Sequence, residues 1–135
     1  MDILDLLDAD RVFFDMRPAT KEELFRQIAQ SLAEHGEIAD ASLAVRLLCE
    51  RENLMTTGIG GGVSIPHAFV PGMADSLMAI AFAPEGVDFQ ALDKKPVHTV
   101  FLLLGSPKAQ GRHLRVLARL SRMISSKPFM KALRE

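Results

Sequence analysis

Residues 76–104 read SLMAIAFAPEGVDFQALDKKPVHTVFLLL, and they decide the fold. The runs SLMAIAFA (76–83) and VHTVFLLL (97–104) are apolar at successive positions, not at alternate ones. A strand with one wet face alternates; a strand covered on both faces need not. Two such runs predict buried strands in a sheet with helices packed on it. Between them, Pro84-Glu85-Gly86 predicts a turn, Val87–Phe89 a short strand and Asp93–Pro96 a second turn. Gly105-Ser106-Pro107 ends the second run.

Helices are predicted on either side. Thr20 and Glu23 have capping-box spacing, Leu24, Ile28 and Leu32 follow at helical period, and Gly36 stops the helix. Asp40 caps a second helix with Ala44, Leu47 and Leu48 on its buried face, ending near Arg51-Glu52. A third is predicted from about Gln110 to Ser125. With a short strand at residues 11–14 (RVFF), the order is β-α-α-β-β-β-α. It implies an α/β fold, a mixed β-sheet flanked by helices.

The chain has 135 residues, enough for one domain spanning 1–135 with its own core. Its 48% hydrophobic content excludes a disordered chain. One cysteine, Cys49, excludes an internal disulfide framework and a multi-cysteine zinc site. No apolar run approaches the roughly 20 residues of a membrane span. The acidic start MDILDLLDAD is unlike a signal peptide, so a reducing, cytoplasmic setting is expected. The 16 Lys and Arg nearly balance the 17 Asp and Glu, which gives no global pull towards nucleic acid. The charge is uneven: acidic residues prevail in the first fifty positions and basic ones after Gly105. That predicts a polarised surface.

The segment TTGIGGGVSIPHAFVPG (56–72) is of another kind, short extended pieces joined by tight glycine turns. It lacks the Gly-Lys-Ser/Thr of a Walker loop and has Val63 at the third glycine position of a dinucleotide fingerprint. His67 follows Pro66, whose ring stiffens the backbone. A neutral imidazole there is either a turn residue without a role or a usable nucleophile. His113, Leu117, Leu120 and Ile124 fall on one face of the third helix, so His113 is either a core histidine or a group aimed at an anion near the helix start. Arg112, Arg115, Arg119 and Arg122 share the opposite face, a solvated stripe or a dock for an acidic partner. Arg51 either complements the end of the second helix or reaches a phosphate with its forked donors. His35 reads as an exposed helix-end residue and His98 carries no assignment. No histidine pair has metal-ligand spacing, so neither a metal nor a cofactor is expected.

In order, RENLMTTGIGGGVSIPHA, FQALDKKPVHTVFLLLGSP and HLRVLARLSR resemble the enzyme IIA domain of the fructose/mannitol class of the phosphoenolpyruvate-dependent phosphotransferase system, and within it the nitrogen-related regulatory branch. The resemblance runs from about residue 10 to the end. It implies a mixed sheet flanked by helices and a phosphotransferase that works through a phosphohistidine. It assigns His67 as the histidine that accepts the phosphoryl group from the phosphohistidine of HPr or its nitrogen-branch counterpart. His113 matches a second active-site histidine that supports the phosphate, and Arg51 an active-site arginine. Phe69 stands where the family often has Lys or Arg, and Ser64 where alanine is common. The sequence given stops at Glu135, short of the final helix usual in the family, so a trimmed or divergent C-terminus is expected.

A phosphoryl group brings a charge approaching −2 that needs donors. Backbone N–H groups around Gly58–Gly62, the His113 imidazole and Arg51 are the candidates. Phe69, Val70 and Met73 are expected to form an apolar rim from which a partner excludes water. The downstream partner implied is a IIB component or a regulatory protein. Two other readings stand beside the regulatory phosphocarrier: a IIA subunit of a fructose/mannitol-type sugar transporter, and a docking module that has lost phosphotransfer.

Overall fold

The computed structural model describes residues 11–73 and 76–124. The acidic residues 1–10, Ser125 and the basic residues beyond it lie outside the described residues. The elements run β1 (Val12–Phe13), α1 (Lys21–Glu34), α2 (Ala41–Leu54), β2 (Gly58–Gly60), β3 (Val63–Ser64), β4 (His67–Phe69), β5 (Leu77–Val87), β6 (Val97–Gly105) and, after a 3-10 turn at Pro107–Ala109, α3 (Gln110–Ile124). The sheet order is β1-β5-β6-β3-β2. β5 and β6 are antiparallel, and β1 runs parallel to β5. β3 and β4 both pair with β6 in parallel, one after the other, so they form one line along its edge. The line breaks at Ile65-Pro66, where Leu103 N donates to Pro66 O at 2.9 Å and keeps the ladder continuous.

Both faces of β5 and β6 are covered, as their unbroken hydrophobicity requires. Leu77, Ala79 and Ala81 of β5, with Val100, Leu102 and Leu104 of β6, pack under α1 and α2. Met78 and Ile80, with Phe101 and Leu103, pack on Val116 and Leu120 of α3. The α1 stripe is Leu24, Phe25, Ile28, Ala29 and Leu32. Thr20 caps α1 by accepting from Glu23 N, but the return half of the box is shifted: Glu23 Oε2 accepts from Ala19 N at 2.7 Å. Asp40 Oδ1 caps α2 by accepting from Leu43 N at 3.1 Å.

Three boundaries differ from the sequence reading. β5 does not turn at Pro84-Glu85-Gly86; it runs on to Val87 through a register shift after Phe82. A bulged, exposed stretch tolerates proline because no ladder N–H is needed there. Phe89, predicted in a strand, instead inserts into the core edge-on to Phe25, ring centres 6.0 Å apart. α2 continues past Arg51-Glu52 to Leu54.

Candidate active site

α2 ends, and β4 begins, near the C-terminal end of β6, and α3 starts just beyond it. Here the structure brings two of the predicted residues together, their rings tilted by 52°. His67 opens β4 and lies opposite Leu103. Ala68 points into the α1–α2 core, so His67 and Phe69 share the other face, towards α3. His113, in the first turns of α3, fills the space above them. The two imidazole centres are 5.6 Å apart, and the Phe69 and His113 rings are 4.4 Å apart. His113 reaches this place because residue 105 is glycine. A Cβ on Gly105 would stand 2.3 Å from His113 Nδ1.

The two imidazoles are held differently. His67 is half-buried, and its Nδ1 lies 2.8 Å from Ile65 O. A carbonyl only accepts, so the ring carries its hydrogen on Nδ1 and Nε2 keeps its lone pair. Desolvation lowers the pKa of His67, the Ile65 carbonyl raises it, nearby Arg51 lowers it and Glu52 raises it. His113 is fully buried, and neither ring nitrogen has a hydrogen-bond partner among the described residues. Burial first, and the neighbouring His67 second, lower its pKa to about 4, so it is neutral near pH 7. A neutral imidazole with both nitrogens unsatisfied is costly in a core. It is ready to donate to an oxygen that arrives.

Arg51 is half-buried at the end of α2, close enough to His67 to affect its titration, and its Nη1 donates to Met55 O at 2.9 Å. That bond answers a carbonyl left open at the helix end, and the charge stays near enough to His67 to be felt there. The glycine turn does not take the part expected of it. Gly60, Gly61 and Gly62 have φ of 97°, 66° and 79° and close the β2–β3 hairpin. Gly61 N donates to Asp93 Oδ2 and Gly58 N to Thr56 Oγ1, so these donors are already engaged. Val63, beside the turn, pairs with Thr99, whereas His67 pairs with Leu103. Four residues of strand put the turn about 13 Å from the histidines. Val70, expected on the rim, is buried in the α1–α2 core, and Met73 packs against that core. The exposed apolar side chains beside the site in sequence are Leu54 and Met55, next to Arg51, and Leu114, next to His113.

Sequence reasoning missed Gly105 and the buried acid Glu52, which accepts from Thr57 N at 2.7 Å and from Thr57 Oγ1. Glu52 had a signal: Ala44, Leu48 and Glu52 recur every fourth residue and are the buried residues of α2. Ser64 is fully buried, and its hydroxyl has no hydrogen-bond partner among the described residues, the environment of an alanine.

A phosphorylatable imidazole facing a neutral donor is the arrangement that phosphoryl-transfer chemistry needs. The profile of the family described as "Phosphoenolpyruvate-dependent sugar phosphotransferase system, EIIA 2" matches residues 5–135. The chain belongs to this family. It is a phosphoryl-transfer component of the phosphotransferase system, acting through a phosphohistidine. It is 36% identical over 124 residues to the "PTS system fructose-specific EIIA component" of Haloferax volcanii, covering 91% of this chain and 80% of that one. It is 33% identical over 135 residues to a "Nitrogen regulatory protein" of Bradyrhizobium diazoefficiens, covering 99% and 87%. The crystal structure of nitrogen regulatory protein IIA-Ntr from Neisseria meningitidis superposes with a TM-score of 0.89 at 32% identity, over 97% of this chain and 89% of that one. The α/β fold with a mixed sheet flanked by helices is thus that of its relatives.

Proposed function

We propose that Nε2 of His67 accepts the phosphoryl group from the phosphohistidine of HPr or its nitrogen-branch counterpart. The lone pair of Nε2 forms the new N–P bond while the donor's N–P bond breaks, and its electron pair returns to the donor ring. No proton leaves His67, because Nδ1 keeps its hydrogen against Ile65 O. The single observation that carries this reading is the tautomer imposed by that carbonyl, which turns the lone pair outward. His113 then donates to a phosphoryl oxygen, and the Arg51 guanidinium balances the charge. Phosphoryl transfer asks for this positioning and neutralisation more than for covalent machinery.

The same reading places the chain in the cytoplasm, on the nitrogen-related branch, where its phosphorylation state is read by a regulatory protein. The Neisseria meningitidis and Bradyrhizobium diazoefficiens relatives support that branch. The Haloferax volcanii relative supports a second reading, a IIA subunit that passes phosphate to a IIB component of a fructose-type transporter. No helix among the described residues is long and apolar enough to cross a membrane.

The test is incubation with phosphoenolpyruvate, enzyme I and a small carrier, followed by assay for an acid-labile, base-stable phosphate. Wild type should take the label and His67→Ala should take none. Equal labelling of the two would overturn the assignment of His67. Subsequent transfer to a purified fructose IIB component would select the transporter reading over the regulatory one.

A further inference from the structure

Glu52 is a charged residue where the fold has no evident need of one. It is 5% exposed, on the stripe of α2 that otherwise holds Ala44 and Leu48. Burying a carboxylate costs several kcal/mol by order of magnitude unless it is paired. Lys21 Nζ stands 3.9 Å away, and it also bonds Gln90 Oε1 at 2.9 Å. Among the described residues the close partners of Glu52 are both on Thr57: the backbone N–H and the hydroxyl. Thr57 is itself 4% exposed.

From Thr57 a line of hydrogen bonds leads to the site. Thr57 O accepts from Ile65 N at 3.0 Å, and Ile65 O accepts from His67 Nδ1 at 2.8 Å. Ile65 precedes Pro66, which has no N–H, so at the gap between β3 and β4 residue 66 joins β6 only through its carbonyl, which accepts from Leu103 N. The Thr57–Ile65 bond ties that gap to the end of α2, and Glu52 fixes Thr57 from two sides.

We infer that Glu52 is a positioning residue for phosphoryl transfer, acting through Thr57 and Ile65 to hold His67 in the tautomer that offers Nε2. The inference rests on the reading that His67 takes the phosphoryl group. Its charge has a second use. Once Nε2 bonds phosphorus and Nδ1 retains its hydrogen, the ring is formally a cation beside a phosphoryl dianion. Among the described residues, the groups that face the ring are Arg51 and Glu52 from α2, the His113 ring from α3 and the Ile65 carbonyl. Glu52 supplies the negative charge that favours the cationic ring, and Arg51 the positive charge that favours the phosphoryl oxygens. Neighbouring positions on a helix diverge by about 100°, so one helix end serves both parts of the phosphohistidine.

The test uses the full chain with Glu52→Gln, which keeps an acceptor for Thr57 N–H and removes the charge, and Glu52→Ala, which removes the anchor. Nitrogen-detected NMR of the unphosphorylated protein reads the His67 tautomer and its titration without any donor. Stopped-flow transfer from the phosphorylated carrier reads kcat and KM. Glu52→Gln should retain the Nδ1–H tautomer, titrate at His67 below wild type, and lose about tenfold in kcat with KM unchanged. Glu52→Ala should mix the tautomers and lose more. An unchanged His67 titration and kcat in Glu52→Gln would overturn the proposal, as would a folded Glu52→Ala with the wild-type tautomer. Should Glu52→Ala fail to fold, Glu52→Gln decides alone. Persistent labelling of His67→Ala would remove the phosphoryl reading and leave the tautomer result standing.

Discussion

The mount of His67 and the mount of His113 face each other across a few ångströms and are built on opposite principles. On the β4 side, hydrogen bonds run from Glu52 through Thr57 and Ile65 to Nδ1, and each is directional. On the α3 side no hydrogen bond from the described residues holds the ring; Gly105 below it and the Phe69 ring beside it do so by shape. The difference follows from the work each ring does. A nucleophile must present one particular nitrogen, which only a directional bond selects. A supporting donor must keep its nitrogens uncommitted until the phosphoryl oxygen arrives, so it has to be held by contacts that use neither. The cost is an unsatisfied imidazole in the core.

That cost gives the largest expected effect. The pKa of His113 falls from about 6.5 unfolded to about 4 folded. The unfolded chain therefore takes the proton first as pH falls. The stability linked to His113 is fully present above pH 6.5 and lost progressively as pH drops towards 4, by roughly 3 kcal/mol in all. His67, whose pKa burial also lowers, adds with the same sign. Urea denaturation at pH 7, 5.5 and 4.5 should show the decline, and His113→Leu should flatten it relative to wild type. Parallel curves for the two proteins would mean that His113 is not held in a sealed, neutral state.

Gly105→Ala attacks the same mount from below. Its Cβ would run into the buried His113 ring. Overpacking of this kind costs about 1–3 kcal/mol. Removing the ring should restore most of the loss, so the double variant Gly105→Ala/His113→Ala should show a coupling of at least about 1 kcal/mol against the sum of the singles. Additive losses would show that the glycine serves the strand and not the histidine.

The two mounts were unequally legible in the sequence. Helical period alone put His113 with Leu117 and Leu120 on the inner face of α3, and the unbroken apolar runs put β5 and β6 at the centre of the sheet. Both signals are local repeats, which a chain carries whatever its partners. The line formed by β3 and β4 along β6 has no such repeat. Its two- and three-residue pieces are set by pairing with β6, far away in sequence, and by the Thr57–Ile65 bond. The glycine cluster forms the tight turns its composition predicts, but its place relative to the histidines is set by the same distant pairing. Its composition suits either an anion cradle or a hairpin turn, and the register with Thr99 puts it at the wrong end of the strand. The role of Gly105 rests on a contact with a side chain eight residues on, which no pattern announces.

The smallest expected effect tests whether shape alone holds His113. Phe69 is half-buried, two residues along β4 from His67 and on the same face. An aromatic contact of this kind contributes about 0.5–1.5 kcal/mol beyond the area it buries. Phe69→Leu keeps an apolar cover and loses the flat ring, so stability should fall by about 1 kcal/mol while His113 remains desolvated. Phe69→Ala removes the cover as well. Water then reaches the imidazole, and because desolvation is the larger cause of its low pKa, His113 should titrate closer to 6.5. The His67 tautomer, fixed by bonds on the far side of its own ring, should not change in either variant. NMR titration of both histidines in one sample reads the two mounts together. A His113 that still titrates near pH 4 in Phe69→Ala would transfer the whole of its support to Gly105 and the α3 backbone.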